Sequence, residues 1–302
     1  MRVHSLLLRR AALTVLATGV AFAATPREEL VVSTASLAQH LNDPNLLLLH
    51  VGDKAEYDAR HIPGARHVSV KDISQPPAEG GLTLEMLPAE PLRERLQALG
   101  ISDNSRVVVY YGKDWISPST RVIFTLDYAG LDRVSLLDGG MDAWMKDGHP
   151  VTDVVPETRV GTLKPLTLRA TVVDAEFVRT HLNTGGFAVV DARDPSLYDG
   201  SKTGGSPQRP HKTGHIAGAL SVPFSSIAGD DLRVKSADEL AAAFAKAGVK
   251  PGDTVITYCH IGQQATATLF GARLLGHKVL LYDGSFEDWS RRDYPVETDR
   301  KK

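Results

Sequence analysis

The residues best suited to chemistry lie in one short stretch of the chain, Thr254 to Ala265. This stretch contains Cys259, the only cysteine among the 302 residues. The residues before Cys259 are rich in β-branched side chains and predict a buried strand, and the Ala- and Leu-rich residues after the stretch predict a helix. A thiol at the C-terminal end of a parallel strand, facing the start of a helix, occupies the usual ligand position of an open α/β sheet.

Backbone amides are expected to make this position favourable for a negative charge. The free N–H groups of the loop and of the first helical turn converge there and stabilise an anion. We therefore expect the pKa of Cys259 to fall below its ordinary value of ~8.5, so that the thiolate acts as a nucleophile. The alternative is a small core residue, as most lone cysteines are. Gly262, which permits a sharp turn beside the thiol, favours the reactive role.

Composition and the N-terminus narrow the class of protein. The formal net charge is -2 and no basic run is interleaved with aromatic residues, so nothing indicates nucleic-acid binding. Residues 1–23 combine arginines, a short apolar segment and small residues at the spacing of a cleavage site, which predicts a signal peptide. The apolar segment is too short for an ordinary membrane span. We expect an exported, periplasm-type protein with no stable membrane anchor after cleavage. The Arg9-Arg10 pair also fits a twin-arginine signal, although a plain positively charged start is the simpler interpretation.

The remainder of the chain contains two copies of one unit. Each copy starts with a capped helix, at Ser33 in the first copy and Asp174 in the second. The later matching segments of the first and second copies are Leu46–Leu49 with Phe187–Val190, His61–Ala65 with His215–Ala219, Leu96–Ile101 with Phe244–Val249, Arg106–Tyr111 with Thr254–Cys259, and Leu136–Gly140 with Leu281–Ser285. This order predicts an α/β fold, with a doubly wound, mostly parallel sheet flanked by helices in each copy.

The repeat sets the predicted domain boundaries. We expect a first domain at 27–150, a linker rich in turn-forming residues at 151–168, and a second domain at 169–299. The first domain should be catalytically inactive, because Tyr111 stands at the position of Cys259 and a phenol with a pKa near ~10 cannot replace a thiolate.

Two segments are expected to shape the cleft above Cys259. The first domain should pack on the second and help to wall this cleft, with Lys113 and Trp115 as candidate contributors. The second copy also carries an insertion at 198–213, rich in Gly, Ser and Pro, that is expected to fold over the site as a wall or lid.

These features together resemble the tandem-domain rhodanese sulfurtransferases, the family of the thiosulfate and mercaptopyruvate sulfurtransferases, in which only the second domain is active. The resemblance covers nearly everything after the predicted signal. Its motifs are Asp191-Ala192-Arg193 after a strand, Gly214 to Ala219, the loop from Cys259 to Ala265, and Asp283-Gly284 followed by Trp289.

The resemblance implies sulfur transfer by double displacement, with no cofactor beyond a covalent persulfide on the cysteine. Cys259 would take sulfur from a small anionic donor such as thiosulfate and pass it to a thiol or cyanide. Arg193 would bind the anionic end of the donor, because a guanidinium matches sulfonate-like oxygens; the alternative for Arg193 is a salt bridge at the surface or domain interface. The implied cradle around the sulfur consists of His260, Ile261, Gly262, Gln263, Gln264 and Ala265.

The loop departs from the better-known members of the family. Thiosulfate-type loops usually carry cationic residues directly after the cysteine, where this chain has His260 and Ile261. His260 either supplies positive charge below neutral pH or is a solvent-facing side chain. The departure weakens the expectation that thiosulfate is the natural donor.

Three other functions are alternatives to catalysed sulfur transfer. A phosphatase with a related fold needs an arginine six positions after the cysteine, where this chain has Ala265. A non-catalytic sulfur carrier or binding module remains the alternative, since the first copy keeps the fold without its thiol. His211 and His215 have the spacing of metal ligands on a helix, but the residues between them predict a loop, so no structural metal is expected.

Overall fold

A computed structural model describes residues 25–76, 78–113 and 116–299. The predicted signal peptide at 1–23 and Trp115 lie outside the described residues. Within the described residues no helix is both long and apolar enough to span a bilayer.

The first half contains six α-helices and five strands, besides a 3₁₀-helix at Val70–Ile73, within its described residues. The helices are α1 (Pro26–Leu30), α2 (Thr34–Gln39), α3 (Lys54–Ala59), α4 (Ala89–Ala98), α5 (Ile116–Tyr128) and α6 (Gly140–Lys146). The strands are β1 (Val31–Val32), β2 (Leu46–Val51), β3 (Arg66–Val68), β4 (Arg106–Tyr111) and β5 (Val134–Leu137).

The second half repeats this pattern and adds a hairpin, a short pairing near the C-terminus and a 3₁₀-helix at Phe224–Ser226. Its helices are α7 (Ala175–His181), α8 (Pro195–Tyr198), α9 (Ala237–Ala247), α10 (Ala265–Leu274) and α11 (Ser285–Ser290). Its strands are β6 (Val172–Val173), β7 (Phe187–Asp191), β8 (Gly205–Ser206), β9 (Arg209–Pro210), β10 (His215–Ile216), β11 (Leu220–Ser221), β12 (Thr254–Tyr258), β13 (Val279–Tyr282) and β14 (Val296–Glu297).

Two five-stranded parallel sheets form the centre of the two halves. Their strand orders are β1-β5-β4-β2-β3 and β11-β7-β12-β13-β6. Position by position, β4 and β12 are the third strands of their sheets, and Cys259 directly follows β12. The predicted α/β fold with two mostly parallel sheets is therefore confirmed.

Local sequence signals set the helix ends as predicted. Ser33 Oγ accepts a hydrogen bond from the amide of Ser36, and Asp174 Oδ1 accepts one from the amide of Phe177, so both residues cap their helices. Gly248 ends α9 with φ +101°, a backbone conformation that favours glycine. These caps fix the lengths of the helices that flank each sheet.

Each copy also buries one tryptophan near its C-terminal end. Trp144 and Trp289 are completely buried, and each indole N–H donates to a carbonyl six residues further on, Pro150 and Pro295 respectively. Buried indoles are stable only when the N–H finds such an acceptor.

The two sheets are joined through a contact between α5 of the first half and α10 of the second. Thr120 Oγ1 lies 2.9 Å from Thr266 Oγ1 across this contact, and Phe124 belongs to the same buried cluster as Cys259. The first domain therefore packs directly behind the cysteine loop. The segment 151–168 is irregular apart from one bridge between Thr152 and His61.

Candidate active site

The loop after β12 wraps its backbone around the Cys259 sulfur. The amides of Ile261, Gly262, Gln264 and Ala265 act on the thiol as hydrogen-bond donors and favour its ionised form. The last of these amides belongs to the first residue of α10, so the sulfur also faces the start of a helix. The predicted ring of amides is therefore present.

Gly262 is the residue that allows this turn. Its φ is +82°, and an added Cβ would lie 2.8 Å from the Asp283 carbonyl oxygen and 2.9 Å from a guanidinium nitrogen of Arg121. Any side chain here would be strained and would also collide with its neighbours. Of the other loop residues, Gln263 contributes its carbonyl, which accepts from Thr266 Oγ1 at 2.7 Å, and Gln264 Oε1 is buried without a hydrogen-bond partner among the described residues.

The backbone of Cys259 is fixed by α11 on the other side. Its amide donates to Ser285 Oγ at 3.1 Å, and its carbonyl accepts from the amide of Phe286 at 3.0 Å. The next carbonyl, of His260, accepts from the amide of Glu287 at 3.0 Å. The backbone of Cys259 is thus held between the starts of two helices.

The expected lowering of the Cys259 pKa is wrong for the unmodified thiol. Its side chain is 0% exposed, and burial raises the pKa above the ordinary value despite the opposing effect of the four amides. An ionised sulfur loses more hydration in this position than the amides return. The thiol therefore rests in its neutral form at neutral pH.

This predicts an unusual pH dependence for alkylation. The rate of iodoacetamide labelling of the native chain should still rise above pH ~8.5, where labelling of the same chain in denaturant levels off as the ordinary thiol ionises. The comparison uses one cysteine in one chain, so no second thiol contributes. A native midpoint below that of the unfolded chain would contradict the raised pKa.

A cavity of about 480 Å³ opens beside the loop and is lined by His260 and Ile261 from it. Cys259 does not line the cavity, because its side chain is completely buried. The opposite wall is formed by the insertion at 198–213, whose hairpin β8–β9 contributes Arg209 to the lining, as expected of a wall or lid.

The first domain also contributes to this cavity, through Thr83 and not through the predicted Lys113. Thr83 lines it, and its hydroxyl accepts a hydrogen bond from Arg209 at 2.8 Å. Lys113 instead lines a separate cavity in the first domain, and Trp115 lies outside the described residues. The loop around Thr83 carries no repeated motif, so its place at the cavity could not be predicted from local signals.

Arg193 has partners that differ from the predicted anion. Its side chain is 1% exposed, with Nε 3.0 Å and a terminal nitrogen 2.5 Å from the carboxylate of Asp191, and the same nitrogen donates to the Gly214 carbonyl at 2.8 Å. The guanidinium lies 3.9 Å from the ring centre of Phe286. Arg193 is thus a buried ion-paired residue that supports the site, which corrects both its role as an anion clamp and the surface salt bridge.

The two histidines at the cavity are held neutral. Burial, Arg193 and His211 together lower the pKa of His260 to about 4, and burial with Arg193 also lowers that of His211. Their Nδ1 atoms lie 3.4 Å apart. The expectation that His260 supplies charge just below neutral pH is therefore wrong. Each neutral ring has one N–H, and the contact between the two Nδ1 atoms uses one of these, so the pair offers a single N–H donor to a ligand.

His211 and His215 have different partners and are not placed together as metal ligands. His215 contacts the Tyr198 carbonyl and Glu297, whereas His211 contacts His260. The described residues contain no group of three or more His, Cys, Asp or Glu side chains arranged to hold a metal ion.

Arg121 of the first domain is the residue that sequence reasoning missed. It is fully buried, and one terminal nitrogen donates to Asp283 Oδ1 at 2.7 Å and to the Gly262 carbonyl at 3.2 Å. Its other terminal nitrogen donates to the Leu84 carbonyl at 2.6 Å. A side chain from the first copy therefore fixes the cysteine loop of the second copy.

The first copy has a tyrosine at the position of the cysteine. Tyr111, which takes the place of Cys259, is fully buried, and its hydroxyl donates to the Leu232 carbonyl in the second domain. Burial raises its pKa well above that of a free phenol. The substituted position now serves contact between the domains.

The sequence of this chain is similar to a known domain family and to characterised proteins along most of its length. The rhodanese-like domain model matches it twice, at residues 33–147 and 174–292. It is 35% identical to a thiosulfate sulfurtransferase of Pseudomonas aeruginosa over 280 residues, which cover 89% of this chain and 97% of that protein. It is 30% identical to a sulfur carrier protein of Thermus thermophilus, over 86% of this chain and 93% of the other.

A solved structure shares the same fold at lower identity. The anaerobic ergothioneine biosynthesis enzyme from Chlorobium limicola, in complex with trimethyl histidine, superposes with a TM-score of 0.79 and 22% identity over 91% of this chain and 71% of that one. Two matches to the domain model and the similarity to full-length sulfur-transfer proteins lead to one conclusion. The chain belongs to the rhodanese family, with two rhodanese-like domains and relatives that transfer or carry sulfur.

Proposed function

We propose that this protein is a sulfurtransferase that carries a sulfane sulfur on Cys259, and that its donor is a small anion of the thiosulfate type. The observation that carries the proposal is the ring of four backbone amides around the sulfur of the only cysteine. Such a ring favours negative charge at the sulfur in each charged state of the cycle. The name of the Pseudomonas relative supports the choice of donor.

The cycle balances without a cofactor. The thiol of Cys259 loses its proton to solvent, the thiolate attacks the outer sulfur of thiosulfate, and the sulfur–sulfur bond of the donor breaks as sulfite leaves with the electron pair. The terminal sulfur of the persulfide then reacts with cyanide or a thiol, and the bond to Cys259 breaks to return the thiolate. The loop amides can donate to the thiolate before attack and to the persulfide afterwards.

The cavity supplies the means to hold such an anion. Its lining offers one N–H donor from the neutral His211–His260 pair, and the cation of Arg209, whose side chain is 31% exposed and ion-paired with Glu287 at 2.6 Å. Donors of this kind bind sulfonate-like oxygens without a free buried cation. Arg193 does not line the cavity, so it is not expected to contact the donor.

Mass spectrometry of the intact chain tests the persulfide. Incubation with thiosulfate should add the mass of one sulfur atom, and cyanide should remove it, because the terminal sulfur of a persulfide is the electrophile in the second step. Peptide mapping should place the added mass on Cys259, and the Cys259→Ser chain, treated in parallel, should gain nothing. Mass on another residue, or none on Cys259, contradicts the mechanism.

The name of the Thermus relative favours a second candidate, a sulfur carrier. A carrier would take up one sulfur and release it to a protein acceptor, with little turnover between thiosulfate and cyanide. Burial of the Cys259 side chain is compatible with this, since a stored persulfide benefits from exclusion of competing thiols. Steady turnover to cyanide, measured as thiocyanate formed per chain, favours the enzyme over the carrier.

A further inference from the structure

The first domain retains a cleft at the place that corresponds to the active site. This cavity, of about 450 Å³, lies at the C-terminal ends of β2 and β4, and its lining includes His50, Glu56 and Gly112. Counted from the repeated motifs, these residues match Asp191, Leu197 and His260 of the second domain. The volume falls within the range of small-molecule sites.

One arginine side chain of the second domain has no counterpart beside this cleft. In the second domain the Arg193 guanidinium lies between Asp191 and Phe286. The first domain has Gly52 at the position of Arg193, and Met141, which lines the cavity, at the position of Phe286. The place that the Arg193 guanidinium takes in the second domain therefore has no arginine side chain in the first domain.

His50 is a buried polar side chain without a partner at this cleft. It is 1% exposed, and neither ring nitrogen has a hydrogen-bond partner among the described residues. Burial and the neighbouring His67 and His61 lower its pKa to about 4, so the ring is neutral at physiological pH and keeps one nitrogen as an acceptor. An unpaired buried acceptor costs free energy unless a ligand meets it.

Glu56 is a second acceptor that faces the same space. An ideal Cβ on Gly112 would lie 2.6 Å from Glu56 Oε2 and 3.3 Å from His50 Nε2, so only a hydrogen atom of Gly112 separates the two groups. Glu56 is half-buried, accepts a hydrogen bond from the Lys113 amide at 3.3 Å, and has no basic side chain at ion-pairing distance among the residues with described positions. The inner part of the cleft is therefore acidic and rich in acceptors.

The remaining lining is apolar or lies at the exposed rim. Ala55, Ala59 and the two methionines provide apolar walls, and the charges of Arg60, Lys113 and Asp142 are exposed to solvent, where they are screened. We propose that the cleft of the first domain binds a small organic cation, a guanidinium or amidinium group on a short apolar chain, whose N–H groups donate to Glu56 and His50. This site is separate from sulfur transfer and stands whether or not Cys259 carries sulfur.

The test is calorimetric titration of the intact chain with 1-butylguanidinium. The Glu56→Gln variant, which keeps the shape and removes the charge, should bind about tenfold more weakly, because it loses a charge-assisted hydrogen bond. Gly112→Ala should weaken binding as well, since its methyl fills the space between the two acceptors. Asp58→Asn is the matched control, because Asp58 lies on the same helix but is exposed and paired with Lys54 outside the cleft.

The exposed charges at the rim allow a cation site to be distinguished from an anion site. Lys113→Gln should leave binding of the cation unchanged or tighten it, whereas it would weaken binding of an anion, and butyrate of similar length should bind less well than butylguanidinium. Thermal melts of each variant check that it folds. The assignment is overturned if 1-butylguanidinium shows no saturable binding, or if Glu56→Gln and Asp58→Asn bind it equally well.

Discussion

Sulfur transfer from thiosulfate to cyanide is expected to fall to background in the Cys259→Ser chain, a loss of about 10⁴-fold or more. A serine hydroxyl cannot form a persulfide, and it is a far weaker nucleophile than a thiol at any pH where the protein is folded. The serine hydroxyl can still accept the four loop amides that point at this position. We therefore expect the free energy of unfolding to change by only about 1 kcal/mol.

The control for this prediction is a conservative change on the same strand. Thr257 is fully buried, and its hydroxyl has no hydrogen-bond partner among the described residues. Thr257→Val keeps the shape and removes an unpartnered polar group, which is close to neutral for stability, so turnover should be retained. Cyanide-dependent formation of thiocyanate measures both variants. If Cys259→Ser turned over within tenfold of the unchanged chain, the transfer would not pass through this thiol.

The strand, loop and helix around Cys259 could be predicted because their signals are local. A short β-branched run predicts a buried strand, and the Ala- and Leu-rich run predicts a helix; the structure has these elements at Thr254–Tyr258 and Ala265–Leu274. Internal repetition then gave the architecture, since a second copy of each signal confirmed the first. The ring of amides follows from this topology alone.

The protonation state of Cys259 could not be predicted in the same way. Amides that favour the thiolate come from neighbouring residues, but the loss of hydration depends on side chains packed from elsewhere, including Phe124 in the first domain. The first effect is visible in the sequence and the second is not, so local reasoning gave the wrong sign for the pKa shift.

Arg193 shows how a motif can identify a residue and still leave its role open. Asp191 and Arg193 are separated by one residue at the end of β7, where side chains two apart can lie on the same side of the chain. That spacing is compatible with an ion pair as well as with a clamp for an external anion. The contacts decide for the ion pair, because the guanidinium donates to the Asp191 carboxylate and the Gly214 carbonyl and is covered by Phe286.

Replacing Arg121 by methionine is expected to lower the free energy of unfolding by about 3–5 kcal/mol, because it leaves a buried carboxylate without its cation. The side chain of Asp283 is 10% exposed, and besides Arg121 its carboxylate accepts a hydrogen bond from the Met86 amide. Arg179→Met is the matched control: its partner Glu176 is half-exposed, so solvent screens the pair and the same substitution should change stability very little there. Denaturant unfolding of the two variants measures the difference.

An activity measurement decides whether the pair of Arg121 and Asp283 does more than join the two domains. Arg121 also holds the carbonyl of Gly262, whose amide points at the Cys259 sulfur. Folded Arg121→Met chains should therefore form the persulfide more slowly than Arg179→Met chains at equal folded fraction, since the amide ring is less well fixed. If the rates were equal, Arg121 would only join the domains. A double variant with Asp283→Asn should recover part of the lost stability by removing the unpaired charge, and this recovery would show that the cost lies in the buried carboxylate.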